Sequence, residues 1–119
     1  MNEDLRLHRE AEALMGLADQ AKAQSRFADA ARLNFQAAAT EARVFEHLPL
    51  DRPKTRGITA VSSVALYREA GALDKAIQHA EHFLTQEAVA EPWRLDLEEM
   101  VEEMRAELEA HSAVERTAP

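Results

Sequence analysis

Apolar residues recur every three or four positions along most of this chain, which is the spacing of an amphipathic α-helix. The pattern breaks at four places: Ser25-Arg26, the stretch 48–53 with its two prolines, Gly71, and the residues just before Pro92. Proline is not tolerated inside a helix, and glycine commonly ends one. The pattern therefore predicts five helices, over about residues 2–24, 27–47, 53–70, 73–87 and 92–111.

The third predicted helix differs from the others because its interior, residues 57–67, contains no charged residue. A helix that is apolar or small on every side is usually buried on every side. We therefore expect this helix to lie at the centre of the fold, with Ser62 and Ser63 donating hydrogen bonds to carbonyls of their own helix. Trp93 is expected to anchor the fifth helix to the core, although an exposed Trp93 would suit an interface.

The length of the chain, 119 residues, is the usual size of one domain. Residues 1–111 are predicted to form a single all-helical domain. Residues 112–119 have no apolar periodicity, and they are predicted to be a disordered C-terminal tail.

Charge and residue usage narrow the classes of function. The formal net charge is −8, and from Glu91 onward nine acids stand against three arginines, so a nucleic-acid partner is not expected. The chain has no cysteine, and no apolar run approaches the roughly 20 residues that span a bilayer. Its first residues are acidic and form no apolar signal segment, so we expect a cytoplasmic protein with no membrane partner.

The segment from Tyr67 to Ile77 resembles the tetratricopeptide repeat (TPR). In that family an aromatic residue late in helix A precedes a glycine turn, an apolar residue and an alanine early in helix B. Here Tyr67, Gly71, Leu73 and Ala76 stand at those positions. The small alanine lets helix B pack closely against helix A.

The first hairpin is similar, with Ser25 in the glycine position, Phe27 as the apolar residue and Ala30 as the alanine. Ala30 and Ala76 are 46 residues apart, against a family period of about 34. The resemblance implies a divergent all-α fold of about two antiparallel hairpins in a TPR-like right-handed superhelix, capped by a fifth helix. An irregular antiparallel helical bundle would fit the same apolar stripes.

In TPR proteins the A helices line a concave surface, so the resemblance implies partner-binding positions in the first and third helices. These positions are Glu12, Met15, Asp19 and Lys22 in the first hairpin, and Ile58, Val61, Ala65, Arg68 and Glu69 in the second. Two alternatives remain open: the fifth helix fills this groove, or Ile58 and Val61 belong to the core.

A cluster of three cations, Arg52, Lys54 and Arg56, lies at the predicted start of the third helix. Arginine binds carboxylates and phosphates bidentately, and a helix N-terminus adds backbone donors. The cluster therefore suits an acidic peptide or a phosphate group. The alternative is a solvated loop that balances an acidic protein.

Catalytic and metal-binding signals are weak. His79 and His82 are three residues apart on a helix and could reach one metal ion, but no third ligand is spaced to join them. They are otherwise two surface histidines. The sequence has no phosphate loop, dinucleotide fingerprint or metallohydrolase motif, so neither enzymatic activity nor a cofactor is expected.

These observations favour a protein–protein interaction module, a small adaptor or regulatory subunit that binds another protein or peptide. The alternative is a self-associating structural protein, most simply a homodimer built on the second and fifth helices. A helical bundle that binds a small ligand would need a buried polar cluster with perturbed ionisation.

Overall fold

The computed structural model describes residues 2–117, which form five α-helices and no β-strand. The helices are α1 (Asn2–Ala23), α2 (Phe27–His47), α3 (Pro53–Glu69), α4 (Leu73–Leu84) and α5 (Glu91–Thr117). The predicted all-α class and the predicted number of helices are confirmed, and the breaks at the prolines and at Gly71 separate the helices as expected.

The C-terminal end of α5 differs from the sequence prediction. Where a disordered tail is predicted, residues 112–117 continue the helix to Thr117 with exposed side chains. These residues include Ala113, Glu115 and Arg116, which have high helix propensity, and neither glycine nor proline interrupts them. Residues 118 and 119 of the predicted tail lie outside the described residues.

The two hairpin turns share one backbone geometry although their sequences differ. Ser25 ends α1 with a φ of +60°, and Gly71 ends α3 with a φ of +78°. In the first turn the Arg26 amide donates to the Ala21 carbonyl (2.8 Å), and in the second the Ala72 amide donates to the Tyr67 carbonyl (2.9 Å). Each of these hydrogen bonds closes a turn of six residues, and one residue of the turn has a left-handed backbone. This combination is the Schellman motif. The acceptor, the left-handed residue and the donor of the second turn each lie 46 positions after the corresponding residue of the first turn.

Opposite stability changes are expected at these two equivalent turn positions. A left-handed backbone costs an L-residue about 1 kcal/mol, and glycine avoids this cost. Ser25→Gly is therefore expected to raise the free energy of unfolding by about 1 kcal/mol. Gly71→Ala is expected to lower it by a similar amount, since no atom lies within 4 Å of the added Cβ. Urea denaturation would measure both, and changes of the same sign would contradict the shared geometry.

The five helices pack mainly in the order in which they follow one another along the chain. Each helix packs against the next in sequence, and α5 also packs against α3. No Cα atom of α1 comes within 8 Å of a Cα atom in α3 or α5, in the part of the chain that the structure describes. The molecule is consequently a slab of 54 × 33 × 17 Å. The fifth helix does not fill the groove between α1 and α3.

The main core joins α2, α3, α4 and α5, while α1 reaches α2 through a smaller cluster of Leu7, Val44 and Leu48. Trp93 is half-buried and packs against the main core, as the sequence predicts for an anchor of α5. Its side chain lies on Gly57 of α3, where an added Cβ would be 2.7 Å from the Trp93 Cβ. The missing side chain of Gly57 thus allows α5 to pack against α3.

Two expectations for α3 need correction. The Ser63 hydroxyl donates to the Ala38 carbonyl of α2 (2.9 Å) rather than to a carbonyl of its own helix, so it links two helices. The helix is also not buried on every side, because Ile58 is 47% exposed and Ala65 is exposed. The backbone of α1 lies too far away to cover this side of α3.

Candidate binding cleft between α1 and α3

The open side of α3 faces α1 across a cleft of about 290 Å³. Both helices run in the same direction, since the first residues of α1 and α3 meet at one end and Lys22 reaches Glu69 at the other (3.3 Å). The cleft lies at the N-terminal end of the two helices. It is lined by Asp4, Leu5, His8, Val44, Leu48, Arg52, Thr55, Ile58 and Thr59.

The α1 wall of the cleft is polar and mainly acidic. His8 lines the cleft and Lys22 reaches α3, so the residues between them at intervals of three or four lie on the same side of α1. That stripe consists of Asp4, His8, Glu12, Met15, Asp19 and Lys22. The positions Glu12, Asp19 and Lys22, which the TPR resemblance indicates, therefore share one side of α1.

The floor is apolar by contrast, and the α3 wall places Ile58 between the two threonines Thr55 and Thr59. Ile58 stands half-exposed on α3, and Val44 and Leu48 rise from α2 beneath it. On the α1 side, Leu5 is 49% exposed at the rim. Arg52 is the cation that lines this cleft. The cleft thus combines an apolar surface with an acidic wall.

A buried carboxylate lies next to this cleft. Glu41 is on α2, one turn before the floor residue Val44, and its side chain is only 4% exposed. The His8 Nδ1 is 3.4 Å from the Glu41 Oε1, and the His8 Nε2 is 2.7 Å from a Glu12 carboxylate oxygen. The His8–Glu41 contact lies within ion-pair distance but lacks hydrogen-bond geometry. Glu41 Oε1 is accordingly a buried acceptor that receives no hydrogen bond.

Burial raises the pKa of Glu41 above its ordinary value; nearby His8 opposes this shift and Glu12 adds to it. The physical cause is loss of hydration, which disfavours the charged form. A raised native pKa means that the folded protein binds the proton more tightly than the unfolded chain. The contribution of Glu41 to stability is thus fully present below its unfolded pKa, and it is lost as the pH rises through its native pKa.

Glu41→Gln is therefore expected to stabilise the free protein at pH 7.5 by about 1 kcal/mol, because the glutamine carries no charge to desolvate. The gain is expected to shrink towards acid pH, because the raised pKa of Glu41 favours its neutral form there. Thermal denaturation of both proteins across this pH range would measure the difference. Glu98→Gln, on the exposed side of α5, is the matched control and is expected to change stability little.

The predicted basic cluster does not form one surface. Arg52 and Lys54 are exposed, but the Arg56 side chain is buried. Its guanidinium donates to the carbonyls of Leu48 (3.0 Å), Glu87 (3.2 Å) and Ala88 (3.2 Å), and it lies 4.2 Å from the centre of the Phe45 ring. Arg56 thus joins the end of α2 to the α4–α5 connection, and it is not available to an outside anion.

The two predicted site residues at the end of α3 also have partners within the chain. Arg68 turns towards α5, where it pairs with Glu103 (3.0 Å) and Glu107. Glu69 turns towards α1 and accepts from Lys22. Arg68 therefore lies outside the α1–α3 cleft, while the Lys22–Glu69 pair joins the two helices at their C-terminal ends.

A second groove, of about 310 Å³, lies between α2 and α4 on the other face of the slab. His79 stacks on Tyr67 there, with ring centres 4.6 Å apart, and burial lowers the pKa of His79, with a smaller effect of Lys75 and His82. His82 pairs with Glu46 (3.4 Å). His79 and His82 thus each contact a partner inside the protein.

The sequence analysis assigns no binding role to Glu41, to His8 or to most of the other residues that line the cleft. Helical spacing does carry a signal for Glu41, since Ala37, Ala38, Val44 and Phe45 stand four and three residues away on either side and all are buried. An acid surrounded in this way lies on the buried side of its helix. That signal becomes visible only if α2 is assumed to pack against two other helices, because such a helix has a wide apolar side.

Comparison with known proteins does not assign this chain to a family. No family model, no curated protein and no solved structure matches it. Among residues 2–117, no helix is long and apolar enough to cross a bilayer. The same residues contain no group of three or more histidine or acidic side chains placed to hold a metal ion.

Proposed function

We propose that this chain is a non-catalytic protein-interaction module of the cytoplasm, and that its α1–α3 cleft binds an amphipathic segment of another protein. The observation that carries this proposal is the uncovered side of α3. Ile58 is 47% exposed in a helix whose residues 57–67 carry no charge, and no other helix of the described chain covers that side. An apolar surface beside a polar wall suits a partner that has one apolar and one polar side.

The repeated turn geometry supports a related proposal, that the chain is a divergent two-hairpin relative of the TPR family. Ser25 and Gly71 occupy equivalent positions in two Schellman turns that are 46 residues apart. The parallel placement of α1 and α3 also corresponds to successive A helices, and the side that they share is the binding side in that family. The longer spacing matches the long α2 and the connection that follows it.

A displayed library of peptides of about 16 residues, roughly the length of α3, would test the binding role. Peptides selected on the native protein are expected to lose at least about tenfold in affinity, or about 1.4 kcal/mol, on Ile58→Glu. Leu17→Glu is the matched control, because Leu17 is 50% exposed on α1 but lies off the stripe that faces α3. It is expected to leave affinity unchanged.

Selected peptides that bind both variants equally would contradict the proposal. Light scattering of the native protein and of Ile58→Glu tests whether a second copy of this chain occupies the cleft instead. A native dimer that Ile58→Glu dissociates would place another copy in the cleft and would overturn a partner segment. A monomer in both cases is expected.

A further inference from the structure

Glu41 is exceptional among the buried polar side chains of the described residues. The Thr40 hydroxyl donates to the Gln36 carbonyl (2.9 Å), the Thr59 hydroxyl donates to the Thr55 carbonyl (2.9 Å), and Ser63 and Arg56 donate to carbonyls of other elements. Among the fully buried side-chain nitrogen and oxygen atoms of the described residues, only Glu41 Oε1 lacks a hydrogen-bond partner. Buried polar groups are nearly always satisfied, so each exception calls for an explanation.

The position of Glu41 suggests what would satisfy it. The carboxylate lies beneath His8, whose ring lines the α1–α3 cleft and is half-exposed. Rotation of the His8 side chain into solvent would open a short path from the cleft to Glu41. A hydrogen-bond donor from outside the chain would satisfy this carboxylate oxygen. A cationic donor pairs most strongly with a carboxylate.

The surroundings favour the side chain of lysine or arginine. The apolar residues Leu5, Val44 and Ile58 line the cleft and suit the methylene stem of such a side chain, while the exposed Arg52 lies where the cleft borders the start of α3. Glu12 stands on the α1 wall beside His8 and adds to the negative potential. A partner segment with a cation on its polar side would therefore meet apolar contacts first and a carboxylate beyond them.

We propose that the segment bound in the α1–α3 cleft carries a lysine or arginine whose cationic group takes the place of the His8 ring and pairs with Glu41. This inference rests on the proposed function and adds the chemistry of the partner. In the free protein Glu41 is buried beside His8, and in the complex it becomes the residue that selects a cationic partner. His8 covers the carboxylate while the cleft is empty.

A double-mutant cycle between the protein and a selected peptide tests this pairing. The peptide is selected for binding to the native protein and does not bind Ile58→Glu. The lysine or arginine that the selected peptides have in common is replaced by glutamine. On the native protein the replacement is expected to lower affinity about tenfold, as for close interfacial charge pairs. On Glu41→Gln it is expected to lower affinity less than about twofold, because the partner charge is gone.

His8→Ala and Glu98→Gln complete the design. His8→Ala removes the covering ring and is expected to increase the affinity of the cationic peptide, while Glu98→Gln, on the far side of the molecule, is expected to leave it unchanged. Circular dichroism of Glu41→Gln would verify that this variant is folded.

The outcomes separate the two proposals. Ile58-dependent peptides without a shared cation, or an equal loss of affinity on the native protein and on Glu41→Gln, would overturn the cation pairing and leave the binding cleft in place. A selection in which no peptide depends on Ile58 would overturn the cleft itself, and with it the pairing.

Discussion

Arg56→Met is expected to lower the free energy of unfolding by about 3 kcal/mol, because one buried guanidinium serves several carbonyls at once. Methionine keeps most of the buried stem of the side chain but supplies no donor. The Leu48 carbonyl and the Glu87 and Ala88 carbonyls would then lose partners at 3.0–3.2 Å in a part-buried region. The contact with the Phe45 ring would be lost as well.

The effect of this change extends to the backbone of the α4–α5 connection. Ala88 has a φ of +57°, which disfavours an L-residue, and its carbonyl accepts from the Arg56 Nε. Such a conformation persists only where neighbouring contacts hold it. We therefore expect faster hydrogen exchange around Ala88 in Arg56→Met. Arg52→Met is the matched control, since Arg52 is exposed, and a loss above about 0.5 kcal/mol there would contradict the distinction between the two arginines.

Gly57→Val is expected to cost about 3 kcal/mol, because the new side chain would occupy the space of Trp93. Even a single Cβ at this position would lie 2.7 Å from the Trp93 Cβ and 2.9 Å from its Cγ. These atoms are close to the α5 backbone, so side-chain rotation does not relieve the overlap. The start of α5 would have to move away from α3, and Trp93 fluorescence is expected to shift towards the emission of a solvated indole.

Gly16→Val provides the matched control for this steric argument. Gly16 lies within α1, and no atom stands within 4 Å of its added Cβ. Valine and glycine differ by only a few tenths of a kcal/mol in helix propensity, so a change of that size is expected. An equal loss of stability at both positions would show that the α3–α5 contact does not depend on the missing side chain of Gly57.

The helices of this fold are predictable from local chemistry. Pro49, Pro53, Gly71 and Pro92 interrupt the helical pattern, and those signals act within a few residues of their own positions. Local propensity also accounts for residues 112–117. They form a helix because their helix propensity is high, although their lack of an apolar stripe predicts disorder.

The roles of individual residues were harder to predict, because they depend on where distant elements lie. Arg52, Lys54 and Arg56 look alike in sequence, and only the position of the α4–α5 connection makes Arg56 a buried donor. Ile58 is exposed because α5 packs against α3 at Gly57 and leaves the side that faces α1 open. Glu41 appears as an isolated surface acid until α1 and α3 are both placed beside α2.

Stability and the proposed binding role make opposite demands on Glu41. In the free protein its Oε1 is buried with only the His8 ring nearby, at ion-pair distance, and burial raises the pKa of the group. Glutamine would relieve that cost and would remove the charge that we propose for partner selection. A variant that is more stable and binds a cationic peptide less well is the combination expected of a residue kept for function.

The most direct test of the binding cleft is methyl chemical-shift mapping of the native protein with a peptide selected on it. We expect the largest changes to fall on Leu5, Val44 and Ile58, which are apolar residues of the α1–α3 cleft. Methyl groups that contact Tyr67 and Phe83, in the groove between α2 and α4, are expected to change little. The largest changes at that groove or along α5, with Ile58 unaffected, would contradict the assignment of the binding surface to α1 and α3.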